Sequence, residues 1–141
     1  MSSTAERERP TSLSGLSIVL PTFNEGGSIR QVIESLLRLG TDHPLEILVV
    51  DDDSRDGTPD LVRVLARKDP RIRIIQRVGR SGLASAIKEG LVAALHPIAV
   101  IMDSDGQHEP TSVAEAVQLL DKAGLDLVAG SRFLDHSEIW D

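Results

Sequence analysis

The stretch Glu46-Ile47-Leu48-Val49-Val50-Asp51-Asp52-Asp53-Ser54-Arg55-Asp56-Gly57-Thr58-Pro59-Asp60 decides the fold of this chain. The run from Glu46 to Val50 shows little in/out alternation, the pattern of a strand buried on both faces of a parallel sheet. It ends in three consecutive carboxylates and an Asp56-Gly57 turn. Thr58 is a good N-cap, Pro59 suits the first helical position and Asp60 sits favourably in the first turn, so a helix is expected over 58–68.

The same unit repeats on either side. Short Val/Ile-rich runs lie at Leu16 to Leu20, Ile72 to Gln76, Ile98 to Met102 and Leu125 to Ala129, and helical periodicity fills 26–39, 82–95 and 111–123, the last capped by Thr111 just after Pro110. Strand and helix alternating in this way predict an α/β fold, a doubly wound, mostly parallel sheet with helices on both faces. Ligands of such a sheet bind outside the carboxyl ends of its strands. Chemistry is therefore expected in the loops Pro21–Gly27, Asp51–Thr58, Arg77–Gly82, Asp103–Pro110 and Gly130–Phe133, three of which carry acidic residues.

The 141 residues suit one domain, large enough to bury a core without metal or disulfide staples. Twenty-two acidic against fifteen basic residues give a formal charge of −7, the wrong sign for gripping a phosphate backbone, so no nucleic-acid partner is expected. Without cysteine there is no disulfide framework or thiolate site, and any metal must be held by oxygen or imidazole ligands. Residues 1–15 are Ser/Thr/Glu/Arg-rich with no signal-peptide core and read as a disordered tail. No later run approaches the about 20 apolar residues that span a bilayer. The expectation is a cytoplasmic chain, at most peripheral at the membrane's cytoplasmic face.

Each loop has an ordinary structural reading beside a chemical one. Asp56-Gly57 and Thr58 make a turn and a cap, which leaves Asp51, Asp52 and Asp53 unexplained; a carboxylate at a strand end can accept from ribose hydroxyls or a base N–H. In Asp103-Ser104-Asp105-Gly106-Gln107-His108, two carboxylates one residue apart, with an amide two further on, offer the oxygen ligands that Mg²⁺ or Mn²⁺ prefers. A divalent cation there would relieve their repulsion and bridge a diphosphate. His108 reads equally well as a structural hydrogen-bonder. The glycines of Val78-Gly79-Arg80-Ser81-Gly82-Leu83 lack the Gly-Lys-Ser/Thr ending of a P-loop and do not follow the first strand. Arg80 and the Gly130-Ser131-Arg132 turn are candidate anion contacts.

Taken together these loops resemble the nucleotide-binding half of family-2 inverting glycosyltransferases of GT-A fold, nearest to the polyprenyl-phosphate sugar synthases typified by dolichol-phosphate mannose synthase. The resemblance runs from Leu16 to Phe133 and rests on Pro21-Thr22-Phe23-Asn24-Glu25, Val49 to Thr58, Gly82-Leu83 with Ala86 and Gly90, Met102 to Pro110, and Gly130-Ser131-Arg132-Phe133. It implies that Pro21, Phe23 and Glu25 line the base and ribose site, Phe23 standing where the family often has Tyr. Val50 and Asp52 would contact base and ribose, with Arg80, Asp103 and Ser104 also on the nucleotide. Asp103, Asp105 and Gln107 would hold the metal, Asp105 and Arg132 would serve the reaction, and Arg132 would lie toward the acceptor phosphate. The acceptor implied is a polyprenyl (dolichyl or undecaprenyl) phosphate, whose anionic oxygen attacks without a strong general base.

In that family the catalytic domain continues for roughly another strand-and-helix layer, within the usual domain size range. Residues 16–134 are accordingly expected to form a truncated nucleotide-sugar-binding domain and 135–141, with Trp140, a C-terminal tail, while a membrane surface or partner subunit supplies the missing half. Two other readings follow from the same residues. One is a split or shortened transferase that binds a nucleotide sugar without turnover. The other is a nucleotidyltransferase, which usually carries a Gly-rich basic loop after the first strand where this chain has Pro-Thr-Phe-Asn-Glu. A receiver-like phospho-acceptor domain would also place acids at strand ends, but no lysine follows the final strand.

Overall fold

The computed structural model describes residues 15–39, 43–107, 109–126 and 128. Four strands, β1 (Leu16–Thr22), β2 (Leu45–Asp51), β3 (Ile72–Gln76) and β4 (Ile98–Ile101), alternate with helices α1 (Ile29–Leu37), α2 (Thr58–Lys68), α3 (Leu83–Ala93) and α4 (Pro110–Lys122). The strands form one parallel sheet in the order β3-β2-β1-β4. The expected doubly wound α/β architecture is thus observed. The expected fifth strand, Leu125 to Ala129, is not formed at residues 125, 126 and 128, and its other two residues lie outside the described ones.

Parity along the strands explains the two layers. Leu16, Ile18 and Leu20 of β1 and Ile47 and Val49 of β2 point to one face, where they meet Ile29, Val32, Ile33 and Leu36 of α1, Val62 and Leu65 of α2 and Val113 and Val117 of α4. The four α1 residues recur at i, i+3, i+4 and i+7, a single apolar stripe. Val19, Leu48 and Val50 point the other way and meet Ala86 of α3. The chain steps from β1 to β3 in one direction and returns past β1 to β4. Parallel crossovers are right-handed, so the reversal sends α3 to the opposite face from α1 and α2.

Only β1 and β2 are buried on both faces, as their reading requires. β3 and β4 are half-exposed, although Ile98 to Met102 reads as a short Val/Ile-rich run: among the described residues α3 is the helix on that face and it lies mainly against the two central strands, leaving Ile101 46% exposed. Pro21 is accommodated in a central strand because it lies beyond the last β1–β4 pair, Val19 with Ile101.

Two caps differ from expectation. Gly57 takes the N-cap position of α2 in the left-handed region (φ 86°) and Thr58 is already helical; the Asp56 carboxylate accepts from both the N–H and the hydroxyl of Thr58, outcompeting Thr58 as the capping group. At α4, Pro110 itself is the first helical residue and Glu109 precedes it in extended conformation, as a residue before proline prefers, so Thr111 lies inside the helix. Helix α1 starts at Ile29 rather than near 26 because Glu25 first closes a turn, its carbonyl accepting from both Ser28 and Ile29 N–H.

The far end of α3 is held by a buried carboxylate. Glu46 accepts from the Ser17 hydroxyl (2.7 Å), the Leu95 N–H (2.8 Å) and Arg73 (2.8 Å), and Arg73 also donates to the Ala93 carbonyl (3.2 Å). Burial pushes the Glu46 carboxyl up, but the Leu95 N–H, Ser17 hydroxyl and Arg73 guanidinium outweigh it and hold it below its usual 4.5. The folded state therefore binds this proton less readily than the unfolded chain, and the stabilisation is complete above that value and lost as pH falls through the lowered one. We expect urea midpoints to fall with acid below about pH 4.5 and Glu46→Gln, less stable at neutral pH, to fall less steeply; parallel pH profiles would remove Glu46 from the acid response.

Candidate functional site

Strand order reverses between β1 and β4, so the crevice beyond their carboxyl ends is the natural ligand position. The loops after both strands meet there. The Ser28 hydroxyl is within hydrogen-bond reach of the Ser104 carbonyl (2.8 Å) and the Glu25 carboxylate (3.2 Å), and the Ser104 hydroxyl donates back to the Pro21 carbonyl (3.1 Å). These bonds fix the start of the Asp103–Gln107 loop against the end of β1.

The acidic loop after β2 is joined to the β1 loop by three further bonds. The Asn24 N–H donates to Ser54 Oγ (2.8 Å), the Asn24 side-chain oxygen accepts from the Arg55 N–H (3.0 Å), and the Gly26 N–H donates to Asp56 Oδ2 (3.0 Å). Asn24 and Asp53 reach this arrangement with φ of 50° and 58°, a region that Asn and Asp tolerate better than other side chains. The Thr58 hydroxyl and the Gly26 N–H hold the Asp56 carboxyl below the usual aspartate range.

The three consecutive aspartates have three different environments. Asp51 is fully buried and braces its own loop, accepting the Ser54 N–H (2.9 Å) and hydroxyl (2.6 Å). Asp53 pairs with Arg55 at 3.4 Å on the outside. Asp52 lines a cavity of about 590 Å³ together with Pro21, Phe23, Glu25, Gly82 and Leu83. Phe23 is 58% and Leu83 62% exposed, so a large apolar surface is presented to an open concavity, the usual character of a binding wall.

Four expected nucleotide contacts, Pro21, Phe23, Glu25 and Asp52, are therefore brought together. Three others are placed elsewhere. Val50 is wholly buried beneath α3, and Ser104 is buried with its hydroxyl on Pro21. Arg80 lies beside Glu89 (3.4 Å) and lines the neighbouring concavity of about 690 Å³ together with Lys88.

Asp103, Asp105 and Gln107 are exposed on the loop after β4. Gly106, at φ 81°, makes the turn, and the Asp105 carboxylate accepts the Gln107 N–H (3.0 Å). Among the described residues no three His, Cys, Asp or Glu side chains gather to hold a metal. The donor set here is two carboxylates and an amide, all oxygen, which fits an Mg²⁺-type cation that keeps its waters and takes its remaining ligands from substrate phosphates. His108, Arg132 and the rest of Gly130–Phe133 lie outside the described residues.

With this geometry in place, comparison with known proteins is decisive for the family. The sequence model described as Glycosyl transferase family 2 matches residues 17–140. The chain belongs to glycosyltransferase family 2. It is 32% identical over 124 residues to a dolichol-phosphate mannosyltransferase of Pyrococcus furiosus, a match covering 88% of this chain and 35% of that protein. It is 34% identical over 121 residues to a polyprenol monophosphomannose synthase of Mycolicibacterium smegmatis, covering 83% and 44%. The chain thus spans less than half the length of either relative. Among solved structures, a mannosyltransferase from Pyrobaculum calidifontis in complex with GDP-Man and Mn²⁺ superposes with a TM-score of 0.64 at 29% identity, covering 80% of this chain and 36% of that one. A glucosyl-3-phosphoglycerate synthase from Mycobacterium tuberculosis, in complex with Mn²⁺, UDP and phosphoglyceric acid, gives 0.63 at 30%, covering 77% and 39%.

Arg77, Asn24, Ser28 and Ser54 were not singled out from the sequence, yet their hydrogen bonds and ion pairs join the loops around this cavity. For Arg77 the signal lies in the strand register and not in the sequence. The parallel register sets Asp51 beside Gln76, so the residues that follow, Asp52 and Arg77, are brought side by side on one face. Among the described residues, no helix is long and apolar enough to cross a membrane.

Proposed function

We propose that the chain is the donor-binding part of a metal-dependent transferase that moves a hexose from GDP-mannose or a UDP-hexose to a polyprenyl phosphate. One observation carries the reading: a cavity with an exposed aromatic wall and a strand-end carboxylate, Phe23 and Asp52, is tied through Pro21, Ser28 and Ser104 to a loop bearing two exposed carboxylates. The base would lie on Phe23, the ribose against Asp52, and the diphosphate toward Asp103 and Asp105. The relatives' names support a polyprenyl phosphate acceptor, and the neighbours' contents support a nucleotide with a divalent cation.

In that role the side chains bind and orient rather than exchange protons. Phe23 and Asp52 fix the nucleoside, and the hydrogen bonds at Ser28 and Ser104 hold the Asp103–Gln107 loop at a constant distance from it, so the anomeric carbon is presented in one orientation. A lipid phosphate oxygen is already anionic at neutral pH, so no residue here has to act as a strong base. Mg²⁺ or Mn²⁺, held by Asp103, Asp105 and Gln107, would neutralise charge on the departing diphosphate. Arg132 is proposed to face the acceptor phosphate at the membrane surface.

Titration calorimetry of the chain with GDP-mannose and UDP-glucose, with and without Mn²⁺, is the direct test, and absence of metal-dependent binding to either overturns the reading. Transfer to a short-chain polyprenyl phosphate then separates a working transferase from a binder without turnover. Phe23→Ala is expected to weaken nucleotide binding by about tenfold, the worth of one stacked base, and Phe23→Tyr to leave it near the parent value. Equal affinity for the alanine variant would take the base away from Phe23.

A further inference from the structure

Arg77 follows β3 directly, its N–H donating to the Asp51 carbonyl (2.8 Å), and its side chain is only 3% exposed. The guanidinium is surrounded by four groups from three elements. Nη1 donates to the Gly82 carbonyl (3.2 Å) and lies 3.1 Å from Asp52 Oδ1; Nη2 donates to Ser85 Oγ (2.6 Å); Nε lies 3.2 Å from Glu89 Oε2. Asp52 closes the circuit, its Oδ2 accepting the Gly82 N–H (2.9 Å). Gly82 is thus held at its N–H by Asp52 and at its carbonyl by Arg77. It takes φ 129°, where a side chain is strained, and it begins α3.

The two closest charge contacts are not aligned as hydrogen bonds: Asp52 Oδ1 and Arg77 Nε are buried with no hydrogen-bond partner, although each faces an opposite charge. The cluster is held there by charge. Without Arg77, the two carboxylates would be left, among the ion pairs of the described residues, with exposed Arg80, which reaches Glu89, to offset them. Asp52 would then lose its opposite charge and turn to water, and Gly82 would lose its second tether.

We propose that Arg77 is a positioning residue of the nucleoside cavity, locking the Asp52 carboxylate and the Gly82 backbone into one rigid wall. This rests on the donor-site reading above and extends it to a residue that does not line that cavity. Arginine is required, because a lysine supplies the charge but not the fork that spans Gly82, Ser85 and both carboxylates. The effect is confined to the nucleoside end of the ligand, since the Asp103–Gln107 loop is held by Ser28 and Ser104 and not by this cluster.

The test uses the full chain with Mn²⁺ and two probes, GDP or UDP and inorganic pyrophosphate. Arg77→Lys keeps the buried charge and hence the fold; it is expected to weaken nucleoside diphosphate binding about tenfold while leaving Mn²⁺-dependent pyrophosphate binding unchanged. Arg77→Met is expected to lose at least as much, and should it fail to fold, the lysine variant decides. Unchanged nucleotide affinity in Arg77→Lys, or equal losses for both probes, overturns the proposal. A parent chain that binds neither nucleotide with Mn²⁺ overturns the donor-site reading itself, which is a distinct result.

Discussion

Asp105→Asn is expected to lower Mn²⁺-dependent affinity for a nucleoside diphosphate by about 100-fold, the upper end of what the loss of a supporting metal-site group costs. Asparagine is the informative choice. The Asp105 side-chain oxygen that accepts the Gln107 N–H is retained in the amide, so the turn through Gly106 survives and only charge is removed. Asp103→Asn should act in the same direction, and the double variant should bind no better with Mn²⁺ than without it. Binding of the free nucleoside, proposed above to reach only the Phe23 and Asp52 wall of the cavity, should be unaffected. Calorimetry with guanosine or uridine beside the diphosphates separates the two ends. Metal dependence that survives in the double variant would place the cation elsewhere on the rim.

The elements were legible where chain-local physics decides them. β2 and α2 are written plainly because an unbroken apolar run meets a Pro-bearing helix start, and α2 falls at 58–68 as read. Cap identity was not legible: Thr58 and Asp56 both carry capping oxygens, and the choice between them depends on Asp56 also reaching Gly26 across the loop. Nor was the exposure of β4, since nothing in Ile98 to Met102 says that α3 lies mainly against the two central strands.

The site divides in the same way. Acidic residues at strand ends are visible because strand direction alone sends them to one rim, and Asp52 and the Asp103–Gln107 loop lie on that rim, after β2 and β4. The separate environments of Asp51, Asp52 and Asp53 depend on Ser54, Arg55 and Gly82, partners fixed only once the chain is folded. Val50 shows the limit from the other side. It sits one residue before the acidic loop, yet strand parity turns its side chain under α3 and away from solvent.

That packing carries the largest stability effect expected of any single residue here. Gly90 lies where α3 crosses β1 and β2, and a Cβ added to it would stand 2.4 Å from Val19 Cγ1 and 3.1 Å from Val50 Cγ2. Two terms oppose one another in Gly90→Ala. Helix propensity favours alanine by about 1 kcal/mol, while overpacking a tight contact costs about 1–3 kcal/mol. Real Cβ atoms essentially never come as close as 2.4 Å, and the opposing atoms belong to β-branched valines stiff about χ1, so the overpacking cost falls at the upper end of that range, overpacking wins and the alanine variant is less stable by up to about 2 kcal/mol. Gly90→Val places two more methyls in the same gap and is expected to lose about 3 kcal/mol or more, enough to unfold a domain of marginal stability. Gly27→Ala supplies the contrast, because nothing lies within 4 Å of its Cβ position and its backbone needs no positive φ, so its urea midpoint should stay near the parent value. Val19→Ala in the Gly90→Ala background should recover part of the loss, since it removes the closest atom. A midpoint for Gly90→Val equal to that of the parent would mean that α3 does not rest on the sheet at this residue. The same helix starts at Gly82, so a displaced α3 also carries the Asp52–Arg77 wall with it, and Gly90→Ala should weaken nucleotide binding although Gly90 touches no ligand.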